Sequence, residues 1–425
     1  MKKILILAPN FPPSNLAGVH RSRLFAQHLP EFGWEPIILT VEDKYHEETL
    51  DYNLFKLLPE DLRIEKVNAF KITRPRIIGD IGLRSFFQIY NKAKKIIKSE
   101  RIDFLYIPIP PFYIALLGRM LHKSTGVTYG IDYIDPWVHK FPGSDKMFSR
   151  HWWSSKIAKL LEPVAVKKAS LITGVAEGYY KGMQQRNTGL LSSCTFGAMP
   201  YGGEIMDHQA VQSLNQTPYL FQKTSGKIIL VYAGAMLPNA YRPLEMIFTA
   251  ISNNSEHFKN IEFHFIGTGK TTNDPHGYTI KPLAEKYSLW NTIVFEYPRR
   301  IPYLDVLIHL EAADGVFILG STEPHYTPSK VYQGVMAHKP LFAILHKNST
   351  AVDVIKNSRT GIVLTFDGEN DLETIKNDFA EKMEIYKNFK DQFNPLNIQM
   401  DAFEQYSAKA VTRTLVKLIE DTLSS

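Results

Sequence analysis

One short segment in the second half of the chain combines the residue types of a phosphate site: Thr327-Pro328-Ser329-Lys330-Val331-Tyr332-Gln333. Pro328 suits the first turn of a helix, where its missing N–H costs nothing. The amides of Ser329 and Lys330 would then lie at a helix N-terminus, an arrangement that binds anions. Lys330 adds a cation for a phosphate leaving group, and Gln333 follows one turn later on the same face. The alternative is an ordinary capped helix with a solvated lysine.

Two loops place a glycine near basic residues. Residues 9–18 follow the first apolar run, and Gly18 would let a backbone amide approach a ligand at the start of the next helix. The repeated glycines of a dinucleotide fingerprint are absent, and a Pro-rich turn is the alternative. Residues 267–271 resemble a P-loop, but His264 replaces its first glycine. A glycine turn remains, with Lys270 available to a phosphate.

Two carboxylates and an indole follow one another at the end of the fourth apolar run: Asp132, Asp135 and Trp137. Pro136 holds Asp135 in an extended conformation. Carboxylates bind sugar hydroxyls and an indole covers a sugar face, so Asp135 is a candidate for orienting a sugar. The alternative is a turn in which the aspartate accepts hydrogen bonds from local amides.

Composition argues against several other kinds of site. The fourteen histidines include no H-x-x-x-H pair with a third ligand, and we expect neither a metal nor another cofactor. No G-x-S-x-G nucleophile motif occurs. The single cysteine, Cys194, excludes an internal disulfide framework and fits a reducing compartment.

The motifs lie between segments whose hydrophobic period alternates. Apolar runs typical of buried strands occur at residues 4–8, 35–41, 104–107, 127–133 and 171–175, and again at 228–233, 261–266, 293–295, 315–319 and 340–344. Helical spacing occurs at residues 21–32, 84–99, 244–252, 329–337 and 408–423. This alternation predicts an α/β fold with parallel sheets covered on both faces.

The alternation restarts once, after a polar, turn-rich stretch at residues 202–226. We therefore predict two doubly wound domains of similar size, at residues 1–205 and 206–400. A carboxyl-terminal helix occupies residues 401–425.

Positive charge is concentrated in the first half. Residues 71–168 contain 18 Lys and Arg against 7 Asp and Glu, and two basic amphipathic segments lie there, at 77–98 and 148–168. Their apolar stripes suit either the protein core or an anionic membrane interface. The positive charge is equally compatible with an acidic acceptor or with a basic face that only contacts solvent. Nucleic acid is the least favoured partner, because no zinc-finger or RNA-binding motif is present.

No apolar run approaches the 18 residues of a membrane span, and the amino-terminal run stops at Pro9. We expect a cytoplasmic protein, with peripheral contact to the inner face of the membrane left open.

These segments together resemble family 4 GT-B glycosyltransferases over nearly the whole chain. The resemblance is carried in the first half by residues 12–18, 32–40 and 135–137, and in the second by 232–234, 265–269 and 328–340. It implies two Rossmann-like domains facing across a cleft, with a nucleotide-sugar donor on the second domain. The last helix would cross back to the first domain.

The resemblance also implies metal-free transfer of a hexose-type sugar to a polysaccharide or lipid-linked acceptor, with retention of configuration. Its diphosphate-binding residues correspond loosely to Arg242 and Lys270, and its helix amides to Ser329 and Lys330. Catalytic roles then fall to Lys330, Arg242 and Asp135. The implied donor contacts are Gly18, Gly234, Lys270, Thr327, Ser329, Lys330 and Gln333.

Two positions depart from the family pattern. Ala235 stands where a basic residue is usual, and Gln333 where a ribose-binding glutamate is usual. Glu323 offers a carboxylate nearby, at a spacing that does not match the family. These departures keep two alternatives open, a GT-B nucleotide-sugar 2-epimerase and an inactive homologue that binds a sugar or a partner.

Overall fold

The computed structural model describes residues 1–73, 79–138, 146–190, 193–214, 216–271 and 274–424. The chain divides into two compact units. The first unit consists of Met1–Gly202 and Ala408–Ser425, and the second of Gly203–Ser407. The chain therefore returns to the first unit after completing the second.

The strands within the described ranges, in chain order, are β1 (Lys2–Leu7), β2 (Trp34–Val41), β3 (Arg63–Val67), β4 (Phe104–Ile109), β5 (Tyr129–Tyr133), β6 (Leu171–Gly174), β7 (Thr195–Ala198), β8 (Ile228–Ala233), β9 (Ile261–Ile266), β10 (Val294–Tyr297), β11 (Gly315–Leu319), β12 (Leu341–His346) and β13 (Gly361–Phe366).

The α-helices of the same ranges are α1 (Val19–His28), α2 (Ile81–Arg84), α3 (Phe86–Glu100), α4 (Ala115–Thr125), α5 (Arg150–Val166), α6 (Glu177–Arg186), α7 (Ile205–Ser213), α8 (Tyr241–Asn253), α9 (Ser255–Phe258), α10 (Lys281–Lys286), α11 (Tyr303–Ala312), α12 (Lys330–Met336), α13 (Ala351–Ser358), α14 (Leu372–Asp391), α15 (Met400–Phe403) and α16 (Ala408–Ser424).

The first unit is built on one parallel sheet with the strand order β3-β2-β1-β4-β5-β6-β7. The central strands are apolar runs because helices cover both faces of the sheet. On β1, for example, Ile4, Leu5 and Ile6 are fully buried. Because β1 lies between β2 and β4, the direction of the strand order reverses beside it, and ligand crevices form at such switch points.

The carboxyl-terminal helix α16 belongs to the core of the first unit. Val411, Leu415 and Ile419 pack in the same buried cluster as Ile4 and Ile6. Close packing of this helix also requires a glycine on β7. A Cβ atom on Gly197 would lie 2.3 Å from the Cδ1 atom of Leu418.

The second unit contains a parallel sheet with the order β10-β9-β8-β11-β12-β13. Its buried core includes rings such as Phe342 and Phe379, whose centres lie 5.6 Å apart. The strand order reverses between β8 and β11. The predicted α/β fold with two Rossmann-like parallel sheets is confirmed.

Candidate active site

The crevice of the second unit is expected beyond the carboxyl ends of β8 and β11, where its strand order reverses. Gly234 is the first residue after β8 and has a φ of +146°, a conformation that other residues rarely adopt. Its amide donates a hydrogen bond of 2.9 Å to the carbonyl of Ile266, at the end of β9. Glycine is therefore required by the turn itself.

The loop after β11 is held by the neighbouring loop after β12. The Oγ1 atoms of Thr327 and Thr350 lie 2.7 Å apart, and Ser349 Oγ donates to the carbonyl of Tyr326 at 2.8 Å. Thr327 is buried. Its hydroxyl therefore fixes the loop, and with it the position at which α12 begins.

The helix α12 starts at Lys330, one residue later than predicted, and its first turn lacks a side-chain cap. The amide of Val331 donates to the carbonyl of Pro328 at 3.1 Å. Within the described part of the chain, the amides of Ser329 and Lys330 donate to no backbone carbonyl. This is the arrangement of unused donors that the sequence predicts.

The side chain of Lys330 is partly exposed, and its Nζ lies 5.8 Å from the centre of the Tyr303 ring. Burial, assisted by repulsion from Arg300, lowers the pKa of Lys330 to about 8. Both effects disfavour the ammonium form, and a bound anion would favour it. Lys330 therefore changes its charge over a pH range close to neutrality.

Gln333 lies one helical turn after Lys330 and exposes only 9% of its surface. Among the described residues, its Oε1 atom has no hydrogen-bond donor. A buried acceptor without a donor costs about 1–3 kcal/mol. A ligand hydroxyl that donated to this oxygen would remove that cost.

The glycine turn after β9 is packed against the end of β10. A Cβ on Gly269 would lie 2.8 Å from the carbonyl oxygen of Pro298, and Thr268 Oγ1 donates to Glu296 Oε1 at 2.6 Å. Lys270 follows this turn and is exposed. Because β9 adjoins β8, Lys270 and Gly234 follow neighbouring strands at the same edge of the sheet.

Arg242, in the first turn of α8, forms an ion pair with Glu369. Glu369 also accepts a hydrogen bond of 2.8 Å from Thr322 Oγ1. The sequence analysis did not identify either partner. The ion pair is exposed and therefore weak, so a diphosphate would compete with Glu369 for Arg242 at little cost.

The first unit contains a cavity of about 270 Å³ beyond the carboxyl ends of β1, β4 and β5. Gly18 lines it with a φ of −65°, and a Cβ there would meet only Ile134, at 3.8 Å. Neither strain nor crowding requires this glycine, so its amide contact with a ligand stays a prediction. Four charged residues that the sequence analysis missed also line the cavity: Glu47, Glu48, Asp80 and Arg84.

The prediction that Asp132 and Asp135 form a pair of carboxylates beside the indole of Trp137 is wrong. Asp132 is fully buried, and its two carboxylate oxygens accept hydrogen bonds from Arg21 at 2.8 and 3.1 Å. Trp137 is buried and stacks on Phe112, with ring centres 6.1 Å apart. Both belong to the buried core, since Asp132 pairs with Arg21 of α1 and Trp137 packs in the hydrophobic cluster of the first unit. Asp135 is exposed.

The candidate residues thus divide between the two units. Gly234, Lys270 and the segment Thr327–Gln333 follow β8, β9 and β11 of one sheet, while Gly18 and Asp135 follow β1 and β5 of the other. Within the described ranges, no group of three or more His, Cys, Asp or Glu side chains is placed to hold a metal ion. Metal-free chemistry stays a prediction.

Comparison with known proteins gives structural matches and no sequence matches. No family model matches the chain, and no curated protein matches it. A glycosyltransferase from Rickettsia africae superposes with a TM-score of 0.63 at 16% identity, covering 99% of this chain and 98% of that one. Anabaena HepE in complex with UDP and glucose superposes with a TM-score of 0.64 at 14% identity, covering 99% and 100%. This chain has the GT-B fold.

A third GT-B structure is also similar. The trehalose 6-phosphate synthase of Burkholderia multivorans superposes with a TM-score of 0.64 at 10% identity, covering 100% of this chain and 99% of that one. Since these matches span both sheets and the carboxyl-terminal helix, the GT-B fold applies to the whole chain.

Proposed function

We propose that this GT-B protein is a glycosyltransferase that moves a hexose-type sugar from a nucleoside diphosphate sugar to a polysaccharide or lipid-linked acceptor. The transfer retains the anomeric configuration and needs no metal. The donor occupies the crevice of the second unit. HepE, a structural neighbour, was solved with UDP and glucose, which supports a donor of this chemical class.

The departing diphosphate is stabilised by Lys330, the Ser329 amide and Arg242, since charge develops on the leaving group. Lys270, Gly234 and the backbone at Thr327 complete the donor contacts. Gly18 contributes a backbone amide and Asp135 orients a sugar.

The observation that carries this proposal is the buried Oε1 atom of Gln333, which has no donor among the described residues. Gln333 follows Lys330 by one turn of α12. This helix comes after β11, at the point where the strand order of the sheet reverses. A ribose hydroxyl donates to such an acceptor, while the lysine meets the diphosphate.

The first test is calorimetric titration with uridine, guanosine and adenosine diphosphates. Gln333→Ala should weaken the tightest of them by about 3- to 10-fold, the value of a neutral hydrogen bond. Gln333→Glu should bind at least as tightly as the parent, because a charged acceptor makes a stronger bond. Gln405→Ala, an exposed glutamine of the same unit, is the matched control. Unchanged affinity in Gln333→Ala would remove the donor assignment.

The second test uses the pH dependence of kcat/KM, which reports ionisations of the free enzyme. Lys330 is protonated below its pKa of about 8, so activity should fall as the pH rises through that value. Lys330→Arg should abolish this alkaline fall, because a guanidinium stays charged. Lys330→Ala should lose about 100-fold in turnover. The exposed Lys356→Ala should behave as the parent.

Two rival functions make different predictions in the same assays. A nucleotide-sugar 2-epimerase would convert the donor without an acceptor, which product analysis of a donor-only reaction detects. An inactive homologue would bind a diphosphate without transferring or hydrolysing the sugar. Ala235 and Gln333 are the residues that favour this second rival.

The outward face of α5 supports peripheral binding of the first unit to the anionic inner face of a membrane. Large apolar side chains recur along this face and are 40–72% exposed: Trp153, Ile157, Leu160 and Val164. Met147 and Phe148 extend it, at 68% and 69% exposed. Exposed lysines flank it: Lys156, Lys159, Lys167 and Lys168. Interfacial helices combine such an apolar face with basic residues. Among the described residues, no helix has the length and apolar character to cross a bilayer.

A further inference from the structure

The ammonium group of Lys330 has an aromatic ring as its neighbour. Its Nζ atom is 5.8 Å from the centre of the Tyr303 ring. Among the described residues, this nitrogen forms neither a hydrogen bond nor an ion pair. A lysine side chain has a flexible four-carbon stem and many rotamers, so its charge stays in one place only where a neighbour holds it. Within the described part of the chain, that neighbour is Tyr303.

The Tyr303 ring is itself fixed through its hydroxyl group. Tyr303 is the first residue of α11 and is 3% exposed. Its hydroxyl donates a hydrogen bond of 2.9 Å to Asp207 Oδ2, and Asp207 is 1% exposed on α7. A second contact joins the same two helices, because His208 Nδ1 lies 2.7 Å from Glu311 Oε1. The two contacts hold α7 on α11 and leave the tyrosine ring with a defined position beside Lys330.

Arg300 and the Tyr303 ring act on the charge of Lys330 in opposite directions. Burial and repulsion from Arg300, in the loop before α11, lower the pKa of Lys330 to about 8. This loop packs on the glycine turn after β9, since a Cβ on Gly267 would lie 3.9 Å from the Cα of Arg300. The face of an aromatic ring attracts a cation within about 6 Å and therefore favours the ammonium form. Tyr303 thus influences both the place of the charge and its presence.

We propose that Tyr303 is a positioning residue of the donor site: its ring holds the ammonium group of Lys330 in place for the diphosphate, and its hydrogen bond to Asp207 fixes the ring. The inference rests on the proposed transferase function and adds to it a residue that acts through Lys330. A cation displaced by about 1 Å stabilises a leaving group much less. Asp207 lies 96 residues before Tyr303 in the chain, so the motif around Lys330 indicates neither residue.

The first test measures the pKa of Lys330 by NMR of the full chain with ¹³C-labelled lysine, and Lys330→Arg assigns the resonance. Tyr303→Met should lower this pKa by about 0.5–1 pH unit, because methionine fills the space with apolar atoms and has no ring face. Tyr386→Met is the matched control and should leave it at the parental value. Tyr386 is buried in the same unit, and its hydroxyl donates to the carbonyl of Pro340 at 3.3 Å. An unchanged or raised pKa in Tyr303→Met would overturn the proposal.

The second test is calorimetric titration with uridine, guanosine and adenosine diphosphates at pH 7.5. Tyr303→Met should bind the tightest of them about 5-fold more weakly than the parent. Tyr303→Phe keeps the ring but loses the hydroxyl bond, and should lose about 2- to 3-fold. Asp207→Asn keeps an oxygen acceptor for that hydroxyl and should bind as the parent.

A double variant shows whether Tyr303 acts through the lysine. In a Lys330→Ala background, Tyr303→Met should cause no further loss of diphosphate affinity, because the group that it positions is absent. The same 5-fold loss in that background would mean that Tyr303 acts by itself and would overturn the proposal. A melting transition confirms that each variant is folded. If Tyr303→Met has none, Tyr303→Phe decides, and a parental affinity in that variant would overturn the proposal.

Failure of the donor assignment gives a different result. If Lys330→Ala weakens diphosphate binding, but Tyr303→Met changes neither the pKa of Lys330 nor the affinity, this inference ends and the transferase proposal stands. If none of the three diphosphates binds, but Tyr303→Met lowers the pKa of Lys330, the ring holds the lysine as proposed and the donor assignment is rejected.

Discussion

Two helices of the first unit, α3 and α5, have similar basic amphipathic sequences and opposite environments. In α3 the apolar stripe is buried, at 0–7% exposed: Ile89, Ala93, Ile96 and Ile97. In α5 the corresponding stripe, from Trp153 to Val164, faces outward. The sequence analysis treated the two segments alike. Residues 77 and 78 of the first segment lie outside the described residues, so the comparison concerns α3 itself.

The difference follows from what each helix presents to the sheet. The face of α5 that packs inward has small or polar residues, including Ala158, Glu162 and Ala165. Glu162 accepts hydrogen bonds from Arg186 at 2.9 and 2.7 Å. Burial raises the pKa of Glu162, and the Arg186 guanidinium opposes that rise. The buried face of α5 thus holds this ion pair, while the large apolar side chains of the helix face outward. In α3 no such polar anchor competes with its isoleucines among the described contacts.

The largest expected effect is on the stability of α3. Ile89→Ala should lower the free energy of unfolding by about 2–5 kcal/mol, because it leaves a cavity in a fully buried position. Leu160→Ala on α5 should change it by less than about 0.5 kcal/mol, since Leu160 is 72% exposed. Urea titration followed by circular dichroism measures both. Equal costs would mean that the two stripes share one environment.

The second prediction concerns the proposed binding of the apolar face of α5 to a membrane. Trp153→Ser with Leu160→Ser should reduce binding to phosphatidylglycerol-containing vesicles at least 10-fold, because each side chain contributes about 1.5–3 kcal/mol when it leaves water. Phe87→Ser is the matched control, since Phe87 is 63% exposed on the basic helix α3.

Vesicle sedimentation distinguishes the outcomes. If Phe87→Ser lost as much binding as the α5 variant, α5 would have no special role. In a third outcome, the parent protein is a dimer that dissociates in the double variant. That result would show that the apolar stripe of α5 contacts a second copy of the chain.

Charge should have a smaller effect than the apolar stripe. Lys156→Gln with Lys159→Gln should weaken binding to anionic vesicles by about 1 kcal/mol per residue. Raising the salt concentration should reduce the difference from the parent. Lys95→Gln with Lys98→Gln, exposed on α3, is the corresponding control and should bind as the parent. Equal losses in the two pairs would indicate a general effect of net charge.

The smallest effect is expected at the ion pair between Lys92 on α3 and Glu65 on β3, whose nitrogen and oxygen lie 2.7 Å apart. Both side chains are partly exposed, so Lys92→Gln should cost about 0.2–1 kcal/mol of stability. Vesicle binding should not change. A loss of vesicle binding would show that α3 also approaches the membrane, and the contrast with α5 would fail.

The sequence alone determined the central strands and placed the starts of five helices, α1, α3, α8, α12 and α16, to within about three residues. Buried parallel strands are continuous apolar runs, and the predicted runs correspond to ten strands, including β8, β9 and β11 at their full lengths. The three strands that were missed, β3, β7 and β13, are all at sheet edges or beside the last helix, where burial is incomplete. The partly exposed side chains of these three strands interrupt the continuous apolar run by which a buried strand is recognised.

The candidate donor segment could also be located in the sequence, because Pro328, Ser329, Lys330 and Gln333 are consecutive or one turn apart, and local geometry fixes their relation. Only the tertiary structure decided the rest. The cavity combines residues from five separated stretches, among them Glu48, Arg84 and Pro110, which no sequence window contains together. The partners of Asp132 and Arg242 are likewise distant in the chain. The partner of the buried Glu162 on α5 is Arg186, 24 residues away. Periodicity shows that a helix has an apolar stripe, but packing determines which face is buried.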